Sequence, residues 1–148
     1  MSALIGLAIA TMLLSFWPES MTVRQGQTAT VSIQIEGAED LYAADVSVTL
    51  DDPEIVRVVG MRPDGVLAAD STMRDGRDGQ LAWSRTGETR GFTGNGHLAT
   101  VQIEALNPGT TALRLSGGSF YTSQGEHLDC KLSTEPVIIT VTGANLSE

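Results

Sequence analysis

From Thr28 onward the chain alternates. In "TATVSIQIE" Ala29, Val31, Ile33 and Ile35 fall on one side, and Thr28, Thr30, Ser32 and Gln34 fall on the other. This period of two marks a strand with one buried face. "LYAADVSVTL" repeats the pattern at once, with Tyr42, Ala44, Val46, Val48 and Leu50 read as inward and Ala43, Asp45, Ser47 and Thr49 as outward. "EIVRVVGM", "GQLAWSR", "HLATVQIEA", "TTALRLS", "GSFYT" and "PVIITVT" continue the series. Turn sequences such as Asp51-Asp52-Pro53, Pro63-Asp64-Gly65, Asp78-Gly79 and Asn107-Pro108-Gly109 separate them. No stretch after residue 20 carries the 3.6-residue apolar period of a helix. Short strands that are apolar on one side must bury that side against a second sheet, so the pattern implies an all-β sandwich. A length of 148 residues suits one such core.

Glycine placement sharpens this reading. Gly91, Gly94 and Gly96 let the chain turn tightly into the strand Ala99–Ala105. Asn107-Pro108-Gly109 is then expected to fold it back into Thr111, Leu113 and Leu115 as a hairpin. A phosphate-cradling loop does not fit, because no helix pattern follows the glycines and no Lys-Ser/Thr pair closes them.

The formal charge of −9 arises from 18 acidic against 9 basic residues, scattered along the chain. Such a surface repels nucleic acid and favours neutral or basic partners. The N-terminus reads differently from the rest. Ser2 to Trp17 is nearly continuous apolar sequence, shorter than the roughly 20 residues that cross a bilayer. No Lys or Arg precedes it, and the small-residue triplet Ala8-Ile9-Ala10 comes early for a cleavage site. Residues 1–13 are therefore read as a signal or anchor segment, with a membrane tether through residues 2–17, or as the remnant of a longer chain. Residues 14–142 form the folded domain and 143–148 a tail. Each reading of the N-terminus puts the domain outside the cytoplasm, secreted, periplasmic or membrane-tethered.

Catalytic chemistry finds little support. Cys130 is the only cysteine, which excludes a disulfide framework and a thiolate metal cluster, and it reads as a small half-buried side chain near a strand. His97 and His127 sit in no nucleophile or acid–base motif, so the chain is read as noncatalytic and free of cofactors. In "RDGRDGQ" the carboxylates Asp75 and Asp78 are the candidates for a calcium loop, but the alternating ligands and closing Glu of such a loop are missing. Asp51, Asp52 and Glu54 form a second acidic cluster, read as a capped turn.

In order along the chain, "GQTATVSIQIEGAEDLYAADVSVTLDDPEIVRVVGM", "PDGVL" and "GNGHLATVQIEALNPGTTALRLS" resemble a cohesin domain, from about Leu14 to Val141. The motifs are a Gly-x-Thr-x-x-Val opening strand, a Leu-Tyr-Ala strand leading to an Asp-Pro turn, a Gly-x-Gly-x-Leu-Ala-Thr segment and a Pro-Gly-Thr-Thr turn. The resemblance implies a nine-stranded jelly-roll sandwich that binds a protein. In scaffolding proteins that partner is a dockerin, a small helical module carrying its own calcium, so calcium is expected on the partner. Asp45 falls where such cohesins place an acidic hydrogen-bond acceptor, and Ala43, Ser47 and Thr49 share its face. Glu88, in the loop "RTGETRGF", lies near another contact loop.

Two departures stand out: Leu50 replaces the usual aromatic before Asp51, and Asp52 is one extra residue before Pro53. The missing aromatic before Asp51, together with the hydrophobic N-terminus, leans toward the cohesin-like domains of envelope proteins, some attached to secretins, where an assembly component replaces the dockerin. A glycan-binding module is the third reading. A flat glycan platform takes several exposed aromatic rings in a row, whereas Trp83 reads as core and Trp17, Tyr42, Phe92, Phe120 and Tyr121 are dispersed.

Overall fold

The structure is a computed structural model that describes residues 12–63, 78–84 and 90–143. These residues form ten strands and no helix. They are β1 (Met12–Trp17), β2 (Ser20–Arg24), β3 (Thr28–Leu50), β4 (Val56–Pro63), β5 (Asp78–Ser84), β6 (Phe92–Ala105), β7 (Gly109–Thr122), β8 (His127–Leu128), β9 (Cys130–Leu132) and β10 (Val137–Thr142).

The organising element is β3, a single strand of 23 residues. Its first half pairs antiparallel with β1 and β6, from Glu36 opposite Leu13 and Thr28 opposite Glu104. Its second half pairs antiparallel with β5 and β7, with Asp45 between Ala82 and Ser119. The two alternating segments of the sequence are thus one strand serving two layers. β4 extends the first layer beside β6, and β9 extends it beside β1. β10 lies between β7 and β2, antiparallel to one and parallel to the other, and extends the second layer to its edge at β2.

The core lies between these layers. Val31, Ile33 and Ile35 from the first half of β3 meet Val46, Val48 and Leu50 from the second, all at most 1% exposed, with Leu98, Ile103, Leu113 and Phe120 packed among them. Alternation holds through β1, whose Met12, Leu14 and Phe16 are buried. Met12–Trp17, the last third of the N-terminal apolar segment, therefore belongs to the sandwich, while residues 1–11 lie outside the described ones. No helix among the described residues is long and apolar enough to cross a membrane.

Three expectations change. Tyr42 does not point inward: pairing shifts between Leu41 and Ala43, so Leu41 is fully buried and Tyr42 half-buried. An irregularity of this kind inserts a residue and resets the alternation. Ala99–Ala105 and the segment of Thr111, Leu113 and Leu115 do not form a hairpin either. β6 pairs with β3 and β4, and β7 pairs with β3, β10 and β8, so the Asn107-Pro108-Gly109 turn carries the chain from one layer to the other. Leu106 and Asn107 anchor that crossing by donating their amides to Ile55 O at 2.7 and 3.2 Å. Finally, "TTALRLS" and "GSFYT" are one strand, β7, whose pairing with β3 shifts register between Leu115 and Gly117.

Where β3 passes from layer to layer, Asp40 holds it. It is the one described non-glycine residue at positive φ, +57°. Its amide donates to Thr93 Oγ1 at 3.1 Å, and its carboxylate accepts from Gly91 N at 2.6 Å and from Ser123 Oγ and N at 2.8 and 3.2 Å. Nearby, Gly37 N donates to Asn95 Oδ1 at 2.8 Å. The Ser123 hydroxyl, followed by the Gly91 amide, lowers the carboxyl pKa below its ordinary value of 3.8.

Candidate functional site

The second half of β3 runs between β5 and β7, which fixes what surrounds its outward side chains. Ala43, Asp45, Ser47 and Thr49 are all half-buried and share one face, as the alternation required. Opposite them on β7 stand Tyr121, Ser119, Gly117 and Arg114, and opposite Asp45 and Ser47 on β5 stand Ala82 and Gln80. Most of these side chains are small, so the centre of the face is low in relief. Tyr121 rises at one end, 39% exposed, with its ring edge-on to His127 at a centroid distance of 5.7 Å. Arg114 closes the other end through paired bonds to Asp51, Nε to Oδ1 at 2.9 Å and Nη2 to Oδ2 at 3.0 Å.

Gln80 was not foreseen. Its Nε2 donates to both oxygens of Asp45, at 3.0 and 3.3 Å, from a diagonal position on the neighbouring strand. A carboxylate accepts up to about four hydrogen bonds, so Asp45 is oriented by Gln80 and keeps capacity for donors from outside. The signal was available in "GQLAWSR", where the period of two puts Gln80 and Ala82 on one face. What the sequence did not reveal was which strand would lie beside β3.

The remaining candidates fall elsewhere. Glu88 and Asp75 lie outside the described residues, as do the side chains of Asp78 and Trp83. In the second acidic cluster Asp52 Oδ1 accepts from Glu54 N at 3.0 Å, a local turn bond, while Asp51 is paired with Arg114. Among the described residues no three His, Cys, Asp or Glu side chains come together to hold a metal ion. Cys130 is half-buried on β9, and desolvation pushes its thiol up to about 11, away from the reactive thiolate. The Nε2 of His97 lies 3.0 Å from Ala99 O and 3.2 Å from Thr100 Oγ1, which ties the ring to its own strand.

No protein-family model matches the chain, and no curated protein matches it in sequence. Solved structures do match it in shape. It is similar to a non-cellulosomal cohesin from the archaeon Archaeoglobus fulgidus, with a TM-score of 0.71 and 16% identity over 90% of this chain and 92% of that one. It is similar to the sixth cohesin of scaffoldin B from Acetivibrio cellulolyticus, solved in complex with a dockerin, with a TM-score of 0.72 and 13% identity over 90% and 100% of the two chains. A type II cohesin domain from the cellulosome of the same organism matches with a TM-score of 0.67 and 15% identity over 88% and 95%. Sequence identity this low carries no residue-level equivalence, but the shared path of the chain is extensive: this protein has the cohesin β-sandwich fold.

Proposed function

We propose that this domain is a noncatalytic, extracytoplasmic interaction module that holds a protein partner through the outward face of β5, β3 and β7. The observation that carries this reading is the oriented Asp45 carboxylate, held by Gln80 in the middle of a low, polar sheet face. A flat face of this kind suits the side of a helix, because small residues let the helix backbone approach and a central acceptor fixes its register. The net charge of −9 favours a partner that brings basic or hydroxyl donors. That cohesins of the same fold have been crystallised with dockerins supports a helical, dockerin-like partner, whose calcium would be its own. The archaeal match is described as non-cellulosomal, which favours keeping an envelope-assembly component as the second reading.

The test is a pull-down of secreted and envelope proteins on the immobilised protein, with and without chelator, beside Asp45→Lys. A helical, calcium-dependent partner captured by the parent and lost in the variant is the expected result. Capture indifferent to both chelator and substitution sinks the dockerin-like reading, and recovery of secretion components instead supports the assembly reading.

A further inference from the structure

The layer built on the first half of β3 presents a different outward surface. Trp17, the last residue of β1, is 65% exposed. Register places Ser32 of β3 beside it, then Thr100 of β6 and Arg62 of β4, with Ser15, Gln34 and His97 in the next row. An open groove of about 550 Å³ runs along Trp17, with Ser15, Glu19, Gln34, Glu36 and Asn95 among its lining residues, within the span of about 300–1,000 Å³ usual for small-molecule sites.

The polar groups of this groove are partly committed, and what remains defines a ligand. Gln34 Nε2 donates to Ser32 Oγ at 2.8 Å, which leaves the amide carbonyl as an acceptor. Asn95 Oδ1 accepts from Gly37 N at 2.8 Å, which leaves its NH2 group as a donor. Glu19 and Glu36 are exposed and add carboxylate acceptors. The groove thus offers one broad apolar plate surrounded by hydrogen-bonding groups of both kinds.

The geometry points to a saccharide subsite at Trp17 that takes a pyranose unit of a neutral glycan. A pyranose ring has an apolar C–H face, which stacks on an indole, and a rim of hydroxyls that both donate and accept. Acidic sugars are disfavoured, since two carboxylates and no Lys or Arg line the groove of a chain carrying −9. A protein partner fits less well. The core of a protein interface is a contiguous apolar patch, whereas Trp17, Tyr121 and Ile138 are the large hydrophobic residues exposed among the described ones, and polar groups surround Trp17. The site is independent of the Asp45 face, because the two halves of β3 that supply them pair in different layers.

Affinity electrophoresis of the full chain tests the site. Native gels would contain barley β-glucan, xylan, galactomannan or glycol chitin, with polygalacturonate as the acidic comparison. Retardation by at least one neutral polymer is expected, weakened at least tenfold in Trp17→Ala and unchanged in Asp45→Lys. Should Trp17→Ala fail to fold, Trp17→Phe carries the test: weakened retardation supports the site and undiminished retardation overturns it. Three other results also overturn it: no neutral polymer retards the parent, polygalacturonate retards it most, or Trp17→Ala loses a captured protein partner but no glycan. Loss of partner capture in Asp45→Lys with glycan retardation intact would separate the two sites.

Discussion

The two halves of β3 have the same alternating pattern and the same inward chemistry, yet they present different surfaces. The first half turns Thr28, Thr30, Ser32 and Gln34 outward beside β6, with Ser32 and Gln34 also flanked by β1 and its exposed indole. The second turns Ala43, Asp45, Ser47 and Thr49 outward between β5 and β7, around an oriented carboxylate. Burial requires only that every other residue be apolar, so the inward rows are nearly interchangeable aliphatic sets. The outward rows are free of that constraint, and function can differ there without disturbing the core. The segment between the halves decides which residues count as outward in each, so the predictions begin there.

The largest effect is expected from Leu41→Ala. Leu41 is fully buried at the point where the register resets, and removing a buried Leu side chain destabilises by about 2–5 kcal/mol. Tyr42→Ala should lose less, because Tyr42 is half-buried. Urea denaturation of both variants checks the order. A greater loss in Tyr42→Ala would mean that the period of two of the second half extends back through Tyr42 and that Leu41, not Tyr42, belongs to the outward row.

Next comes Gly91, the residue before β6, which lies against Asp40 and Leu41 of β3. A Cβ at Gly91 would run into the Asp40 carbonyl group and lie 2.6 Å from Leu41 N. Backbone cannot yield as a side-chain tip can, and overpacking of this kind destabilises by about 1–3 kcal/mol, so Gly91→Ala should fall in that range. Gly117, on the Asp45 face, gives the contrast. Its added Cβ would meet only Ser47 Cβ, at 3.9 Å, and Gly117→Ala should leave stability unchanged or slightly higher. Equal losses at the two glycines would remove the distinction between a constrained joint and a tolerant face.

Much of this was legible in the sequence, and the limits are specific. The sandwich followed from alternation, since an apolar side every second residue leaves no other way to bury a strand. The outward row Ala43, Asp45, Ser47 and Thr49 was legible for the same reason. Tyr42 was misread because a register shift has no compositional mark: Leu41 and Tyr42 are both acceptable inward residues, and only pairing with β7 chooses between them. The supposed β6–β7 hairpin failed because a turn sequence fixes that the chain reverses, not which sheet it rejoins. Gln80 could be put on a face but not beside Asp45, since strand order is set by long-range packing that a local pattern does not encode.

A smaller effect is expected from pH, again at the joint. Asp40 has its pKa lowered in the folded protein by the Ser123 hydroxyl and the Gly91 amide. A depressed folded pKa means that the ionised form is favoured by folding. The contribution is therefore complete above the unfolded value near 3.8 and disappears as pH falls through the lower folded value. Denaturation midpoints measured from pH 6 down to pH 2.5 should decline more steeply for the parent than for Asp40→Asn in the acid range. Parallel curves would mean that the carboxylate is not what fastens the two halves together.

The smallest effect on stability, and the most informative about the Asp45 face, is expected from Gln80→Ala. The Gln80 side chain is half-buried and its amide binds a surface carboxylate, so its removal should change stability by about 0.5 kcal/mol or less. Its effect on binding is a separate question, because Gln80 both aims the carboxylate and occupies part of its accepting capacity. Among the described residues Asp45 accepts from one nitrogen only, at 3.0 and 3.3 Å, and this leaves lone pairs for a partner, so aiming should outweigh competition. Partner capture by Gln80→Ala should then fall several-fold, less than in Asp45→Lys, which inverts the charge. Tighter capture by Gln80→Ala would reverse this account: the amide would be a competitor that the partner must displace, and the second half of β3 would be held closed rather than ready. The first half offers no such ambiguity, since Gln34 turns its NH2 group to Ser32 on the same strand and keeps its carbonyl oxygen for the groove.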